Sequence, residues 1–212
     1  MKDIILQNIT KRYYKGTEEK VIEEQLLDDG MNTLSDTIAC SNCILFFATA
    51  CDRDVLALST KEVVHCINIE TFFNQFPNIV GKRCDYILYN KNKIVLIDLT
   101  CSLEDYIYPH LNKQKVVRGK RLYAREQIEH TLDILMKEKE IKDYIDLKEQ
   151  KIGLLGYRIK DEESFQYIPR KIDDVLNAWL AMERELETRK LQFPMSYGFK
   201  FEMVKTPKVY KW

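Results

Sequence analysis

Glycine and proline are scarce in this sequence, with seven and five among 212 residues. A chain so poor in both is not expected to contain long disordered linkers, and it shows no internal repeat or low-complexity segment. The longest apolar run, residues 43–51, is far too short to cross a membrane. The first residues lack the extended apolar core of a signal peptide. We therefore expect a cytoplasmic protein without a membrane partner.

The sequence also lacks a net charge, because 33 lysines and arginines balance 33 aspartates and glutamates. Proteins covered with nucleic acid are usually strongly basic, so the composition argues against that class. A local basic groove stays open, since the distribution of charge matters more than its sum. The length and an apolar content of 45% predict one globular domain, residues 1–212, with a full core.

Six cysteines in a chain expected inside the cell are expected to be reduced rather than bridged. Cys40 and Cys43 form a CxxC pair, and Cys51, His65 and Cys66 follow it. A structural zinc site needs four ligands, and the second half of this set is not a pair with the usual spacing. Zinc is therefore disfavoured, and both the cysteines and His65 are expected to pack in the core.

The stretch from Gly81 to Ser102 organises the chain and predicts a β-hairpin. Two short apolar runs, residues 84–89 and 94–99, flank a polar break of asparagines and lysines with turn chemistry. Asp85 lies in the first run and Asp98 near the end of the second. Buried carboxylates need a partner or a metal, and two at one end of a hairpin would form an oxygen-rich site that suits Mg²⁺. The alternative is that Asp85 caps a turn and Asp98 ends a strand.

A run of positive charge follows the hairpin. Residues 111–125 contain no acid, and their lysines and arginines are Lys113, Lys115, Arg118, Lys120, Arg121 and Arg125. A solvated helix face usually mixes charges of both signs, so this run predicts an anionic ligand.

We expect the run to lie in a long helical region that extends to about residue 139, in which Gly119 marks either a kink or the true start of the helix. Ile128, Leu132 and Leu135 are spaced as a core stripe of that helix, and Tyr123, Gln127 and Thr131 share a different face. Elsewhere, residues 1–16 are expected to form a short strand or an arm, and Thr17 to cap a helix from residue 18 to about residue 29, with Gly30 ending it.

Further elements are predicted on both sides of the hairpin. Before it, residues 63–69 are expected to form a strand and residues 70–76 a short helix. After it, residues 151–159 should form a strand in which Gly153 and Gly156 permit close packing. The apolar face of residues 171–191 predicts a final helix, and residues 199–204 alternate like an edge strand.

These residues together resemble the PD-(D/E)xK nuclease superfamily, whose core is a helix, three antiparallel strands, a helix and a further strand. Asp85 in KRCDYIL matches the first acid of that pattern, and Asp98, Leu99 and Thr100 in IVLIDLT match its D/E-x-K motif. Gln127 matches a glutamine on the following helix. The resemblance covers about residues 17–160 and implies an α/β fold of the restriction-endonuclease type, with a mixed central sheet flanked by helices. Residues 161–212 would add the last helix and the edge strand.

The resemblance also implies a function and a site. An acid on the helix before the hairpin would be Glu23 or Glu24. Asp85, Asp98 and the backbone carbonyl of Leu99 would bind Mg²⁺ or Mn²⁺, and Gln127 would orient the attacking water or a phosphate oxygen. The basic run would hold the phosphate backbone of a nucleic acid, with DNA favoured over RNA. A second copy of the chain or another protein is left open as a further partner.

One residue departs from the pattern, because Thr100 stands where the superfamily has a lysine. Threonine cannot supply a positive charge. A lysine from elsewhere would then have to reach the site, and Lys113 is the first candidate, with Lys115 and Lys120 after it. The alternatives are an inactive nuclease-like domain that serves as a scaffold, and an unrelated α/β protein with an anion-binding face.

Overall fold

The computed structural model describes residues 1–35, 55–102, 107, 110–112, 115–159, 195–206 and 208–212. Within these ranges the chain forms a mixed α/β fold in which helices flank a central sheet, as the sequence predicts. No helix of the described part is long and apolar enough to cross a membrane.

The elements follow one another in a simple order. The described helices are α1 (Lys2–Tyr13), α2 (Ile69–Phe73), α3 (Lys120–Leu135) and α4 (Lys139–Asp146), with a 3₁₀ turn at Ser196–Gly198. The strands are β1 (Glu24–Leu27), β2 (Gly30–Ser35), β3 (Val55–Thr60), β4 (Val64–Asn68), β5 (Tyr86–Tyr89), β6 (Lys93–Ser102), β7 (His110–Asn112), β8 (Lys115–Val117), β9 (Gln150–Ile159), β10 (Lys200–Lys205) and β11 (Tyr210–Lys211).

The main sheet has six strands in the order β1-β4-β5-β6-β9-β10. Strands β4, β5 and β6 pair antiparallel, whereas β9 lies parallel to β6 and β10 parallel to β9. The predicted hairpin is therefore confirmed, with Tyr86 opposite Ile97 and Tyr89 opposite Ile94. The expected edge strand near the C-terminus is confirmed as well, since β10 is the last strand on its side.

A side chain and a buried lysine fix the hairpin turn. Asn90 Oδ1 accepts hydrogen bonds from the backbone amides of Asn92 (3.0 Å) and Lys93 (2.8 Å). This is the local bonding for which asparagine is favoured in turns. Lys148 Nζ donates to the carbonyls of Asn90 (2.8 Å) and Lys91 (3.0 Å) from the other side. The turn therefore sets the register that brings Asp85 and Asp98 to the same end of the hairpin.

Each face of the main sheet buries its own hydrophobic core. Ile87, Ile94 and Leu96 point to the side covered by the helices, where Ile5, Ile9, Ile128, Leu132 and Leu135 pack against them. Leu88, Val95 and Ile97 point to the other side, where they pack with Leu34, Leu56 and Leu58. Those leucines belong to a second, three-stranded sheet of order β11-β3-β2. The alternation of strand residues between two cores explains why both hairpin strands read as continuous apolar runs.

Two glycines of β9 make this close packing possible. A Cβ at Gly153 would lie 2.8 Å from Met195 Sδ, and one at Gly156 would lie 2.7 Å from Leu99 Cδ2. Real Cβ atoms do not approach so closely, so the predicted role of both glycines in close packing is confirmed.

Three predictions of local structure are wrong. Residues 2–13 form α1 rather than a strand or an arm, because Ile5 and Ile9 are buried on its inner side. The helix predicted over residues 18–29 is absent there, and β1 pairs with β4 instead. The basic run is not one helix either, since β7 and β8 form a short antiparallel pair. Of the two alternatives for Gly119, the start of the helix is confirmed, because α3 begins directly after it.

Some predictions fall outside the residues that the structure describes. They are the CxxC pair at Cys40 and Cys43, Cys51, the final helix at residues 171–191, and Lys113.

Candidate functional site

Asp85 lies just before β5 and is tied to β6 through both its backbone and its side chain. Its backbone amide donates to the carbonyl of Ile97 (2.8 Å). Its Oδ2 accepts a hydrogen bond from the amide of Leu99 (2.6 Å), in a buried position. Because Ile97 and Leu99 flank Asp98, these two bonds place Asp85 across from Asp98. The carboxylate thus satisfies a backbone donor of β6 where β5 no longer pairs with it.

Asp98 points to the helix-covered face of the sheet, as Ile94 and Leu96 do, because strand residues alternate. It is 5% exposed, and its Oδ1 accepts a hydrogen bond from Gln127 Nε2 (2.7 Å). The same nitrogen donates to the carbonyl of Arg83 (2.8 Å). Both N–H groups of the amide are thereby in use, so Gln127 positions Asp98 and the chain before Asp85 rather than donating to a phosphate.

The helix face predicted from Tyr123, Gln127 and Thr131 lies against the hairpin. Thr131 is fully buried, and its Oγ1 accepts a hydrogen bond from the backbone amide of Cys84 (3.0 Å). The ring of Tyr123 lies 3.6 Å from Lys82 Nζ. Three successive turns of α3 therefore contact residues 82–84 and Asp98, which fixes the strand end that carries the carboxylates.

Acidic charge is concentrated around the buried thiol of Cys84. Burial raises the pKa of that thiol well above its usual value, and the negative charges of Asp85, Asp98 and Glu70 raise it further. Glu70 is the second residue of α2, and its backbone amide donates to the carbonyl of Asp85 (3.3 Å). Glu70 was not among the site residues predicted from the sequence. The only available signal was an acid directly after the predicted strand over residues 63–69.

Leu99 and Thr100 complete the carboxyl half of β6. The side chain of Leu99 packs into the core between the two sheets, so only its backbone is placed to act at the site. Thr100 is buried and lies two residues beyond Asp98, hence on the same face of the strand. It brings a hydroxyl but no charge to this face of the strand.

A tight loop of three residues leads into this site. Gly81 has a positive φ of 116°, which glycine adopts without strain. Nδ1 of His130 donates to the carbonyl of Lys82 (2.6 Å), and Arg83 Nε donates to the carbonyl of Gly81 (3.3 Å). Nη1 of Arg83 is buried and has no hydrogen-bond partner among the described residues. Arg83 was missed in the sequence because nothing local distinguishes it from the neighbouring Lys82.

The predicted phosphate-binding residues occupy different structural settings. Arg118 is exposed and forms an ion pair with Glu126, and Arg125 pairs with Glu129 (3.2 Å). Both acids lie just beyond residues 111–125, the run that contains no acid. Lys120 is exposed in the first turn of α3, with Arg121 half-buried beside it. Neither forms an ion pair with a residue that the structure describes. Lys115 is in β8.

Of the two candidate acids before the hairpin, Glu24 has its side chain directed away from this site. Glu24 accepts a hydrogen bond from the hydroxyl of Tyr89 and contacts His65 Nδ1 (3.2 Å). Tyr89 is at the opposite end of β5 from Asp85, so the Glu24 side chain serves that end of the sheet. The carbonyl of Glu23 accepts from the amide of Asn68. His65 stacks on Tyr89, with ring centroids 4.7 Å apart, as expected of a packed histidine.

The chemistry of the site is that of hard oxygen donors. Two buried carboxylates and the backbone oxygens of β6 suit Mg²⁺ or Mn²⁺, which take a few protein ligands and fill the remaining positions with water or phosphate. Over the described residues, no group of three or more histidine, cysteine, aspartate or glutamate side chains is arranged to hold a metal.

No protein-family model, curated protein or solved structure matches the chain. The function of the protein is therefore inferred from its own residues and their geometry.

Proposed function

We propose that this protein is a metal-dependent nuclease that hydrolyses phosphodiester bonds of nucleic acid, with DNA favoured over RNA. One observation carries the proposal: the Asp85 carboxylate is held by the Leu99 amide across from Asp98, and Gln127 fixes Asp98 from α3. Buried carboxylates are costly unless they serve a ligand or a structural partner. Their convergence at one strand end suits a divalent cation and a phosphate.

The order of elements supports the same family-level proposal. Helix α1, the antiparallel strands β4, β5 and β6, helix α3 and the parallel strand β9 follow the order of the PD-(D/E)xK core. Asp85 precedes the middle strand and Asp98 lies in the third strand, where that superfamily places its acids. Strands β1, β2 and β3 stand outside this order.

Each residue has a distinct role in the proposed reaction. Asp85, Asp98 and the Leu99 carbonyl would hold Mg²⁺ or Mn²⁺, which supplies a Lewis acid for the phosphate and lowers the pKa of water. Gln127 keeps Asp98 in its orientation through the bond to Oδ1. Lys120 and Arg121 contact the phosphate backbone outside the site, which gives affinity that depends on salt and not on sequence.

A second function is favoured by one observation, the buried Thr100 at the position of the missing lysine. In this alternative the domain does not cleave and serves as a scaffold that binds nucleic acid or protein. Lys113, the first candidate to replace the lysine, lies outside the described residues, so it supports neither function.

The deciding experiment compares the wild type with Asp98→Asn and Thr100→Lys on single- and double-stranded DNA and RNA, with Mg²⁺ or Mn²⁺. Asparagine keeps an oxygen for Gln127 but loses the charge that the cation needs. We expect cleavage by the wild type and none by Asp98→Asn. Asp143→Asn removes an exposed carboxylate on α4 and is the matched control, with unchanged cleavage expected.

Metal binding gives a second readout that does not require cleavage. At about 100 times its Kd, Mg²⁺ should stabilise the wild type by about 2.7 kcal/mol, or roughly 5–10 °C in Tm. Asp98→Asn should lose this shift and keep or raise its Tm in EDTA, because repulsion from Asp85 is relieved.

The outcomes separate the alternatives. Cleavage that appears only in Thr100→Lys would mean that the wild type is the inactive form. Wild-type cleavage that survives Asp98→Asn would show that the site has been assigned wrongly. An absence of any metal-dependent shift in the wild type would remove the cation from the proposal.

A further inference from the structure

The loop Gly81–Arg83 carries two cations, and Arg83 forms no ion pair with any residue that the structure describes. Lys82 beside it lies against the ring of Tyr123 and within 3.8 Å of Glu126 Oε2. Arg83 makes a single side-chain hydrogen bond, from Nε to the carbonyl of Gly81, and its buried Nη1 has no partner among the residues described. A buried donor without an acceptor costs free energy, and such a group calls for an explanation.

Arg83 is also linked to the carboxylate pair through one amide group. Gln127 Nε2 donates both to the Arg83 carbonyl (2.8 Å) and to Asp98 Oδ1 (2.7 Å), so the Arg83 backbone and the Asp98 carboxylate share a single nitrogen. Arg83 precedes Asp85 by two residues. Arg83 as a whole is only half-buried, so part of the residue contacts solvent.

We propose that Arg83 binds a phosphate group beside Asp85 and Asp98, and thereby supplies the positive charge that Thr100 does not. A guanidinium presents a planar set of donors that matches two oxygens of a phosphate at once. Turning toward a phosphate gives Nη1 the acceptor that it lacks. The placement at the scissile phosphate rests on the proposed nuclease function, whereas phosphate binding by Arg83 itself does not.

The test uses the full chain and two probes, inorganic phosphate and a short DNA duplex, both in EDTA. Phosphate binding is followed by NMR of the backbone amide signals in every variant, and also by the Arg83 Nε–H signal in the wild type. Duplex binding is followed by fluorescence anisotropy at several salt concentrations. Arg83→Gln should bind phosphate about tenfold more weakly, since a hydrogen bond to a charged group is lost. The slope of log affinity against log salt for the duplex should fall by about 0.9, the value of one phosphate contact.

Two further variants make the result specific. Arg83→Lys keeps the charge without the planar donors, so its phosphate affinity should lie between those of the wild type and Arg83→Gln. Arg12→Gln removes an exposed arginine on α1 that pairs with Glu138, and it should change neither probe's affinity. Thermal melting of each variant checks that the fold is retained.

The phosphate probe keeps this inference separate from the nuclease proposal. If phosphate shifts the Arg83 signal but the duplex does not bind, Arg83 is an anion site and the nuclease function fails. Should phosphate bind with equal affinity to Arg83→Gln, or not bind the wild type at all, the inference is overturned. A duplex whose salt slope is the same for the wild type and Arg83→Gln would remove Arg83 from the nucleic-acid contact.

Discussion

Gln127 donates a hydrogen bond of 2.7 Å to Oδ1 of Asp98, from the second turn of α3 to the carboxyl half of β6. The bond joins a helix to a strand within a largely apolar contact, because Ile128 and Leu132 on the same helix are fully buried. The position of the Asp98 carboxylate therefore depends on how α3 docks, as well as on the hairpin.

Replacing Gln127 by leucine should destabilise the fold by about 1–3 kcal/mol, because the buried Asp98 carboxylate and the Arg83 carbonyl lose a donor. Urea unfolding followed by circular dichroism measures this change. Gln7→Leu on the exposed side of α1 is the control and should stay within about 0.5 kcal/mol of the wild type. Equal effects of both substitutions would mean that the bond to Asp98 contributes nothing to stability.

The hairpin and α3 could be predicted from the sequence because their signals are local. The Asn90 side chain accepts hydrogen bonds from backbone amides within its own turn. The spacing of Ile128, Leu132 and Leu135 shows the buried side of a helix without reference to distant residues. The same spacing placed Tyr123, Gln127 and Thr131 on one face. The contact of this helix face with Asp98 and with the residues before Asp85 can be inferred only once the strand order is known.

The failures come from contacts between distant parts of the chain. Leu26 and Leu27 fall in the helix predicted over residues 18–29, but β1 pairs with β4, which leaves Leu26 58% exposed and Leu27 buried. Only that pairing distinguishes the two leucines. The neutralisation of Arg118 by Glu126 and of Arg125 by Glu129 is different, because it joins residues only eight and four positions apart in the sequence.

The two basic residues at the start of α3 give a direct test of nucleic-acid binding. Lys120→Glu together with Arg121→Glu should weaken binding of a DNA duplex and make it less dependent on salt, because phosphate contacts release counterions. A gel-shift titration at two salt concentrations measures both effects. Lys208→Glu, at an exposed position between β10 and β11, is the control. Unchanged affinity of the double variant would show that this helix end does not contact nucleic acid.

Gly81 and Gly30 have similar positive φ angles, so comparing their alanine variants distinguishes the cost of backbone strain from the cost of a steric clash at Gly81. Gly81 (φ 116°) faces His130, whose Cε1 would lie 2.7 Å from an added Cβ, whereas at Gly30 (φ 123°) an added Cβ meets nothing within 4 Å. Gly30→Ala should cost about 1–3 kcal/mol from backbone strain alone. Gly81→Ala should cost more, because the His130 ring must also move.

The pair is compared by urea unfolding, with His130→Ala added to each. The added substitution should restore part of the loss in Gly81→Ala and none in Gly30→Ala. Equal losses in the two single variants, or equal effects of His130→Ala in both backgrounds, would show that the loop does not pack on His130 as described.

The alkaline limb of the stability curve should depend on Tyr89. Burial and then the hydrogen bond to Glu24 raise the pKa of Tyr89 above its ordinary value of about 10. Above that pH the unfolded chain has lost the phenol proton while the folded chain keeps it, so the free energy of unfolding falls as pH rises. One such group contributes a slope of up to about 1.4 kcal/mol per pH unit.

Tyr89→Phe removes this slope along with the bond to Glu24. At roughly pH 8 the variant should be less stable than the wild type by about 1.5–3 kcal/mol, the range for a hydrogen bond to a charged group, and the difference should shrink as the pH rises toward about 11. Urea unfolding at several pH values measures the difference. Burial raises the pKa of Tyr210 and lowers that of Lys148. Both residues are present in the wild type and in the variant, so their contributions cancel in the difference between the two free energies of unfolding. Tyr13→Phe, on α1, serves as the control. If the difference for Tyr89→Phe stays constant above about pH 10, then Tyr89 does not titrate on unfolding and its bond to Glu24 does not hold its proton.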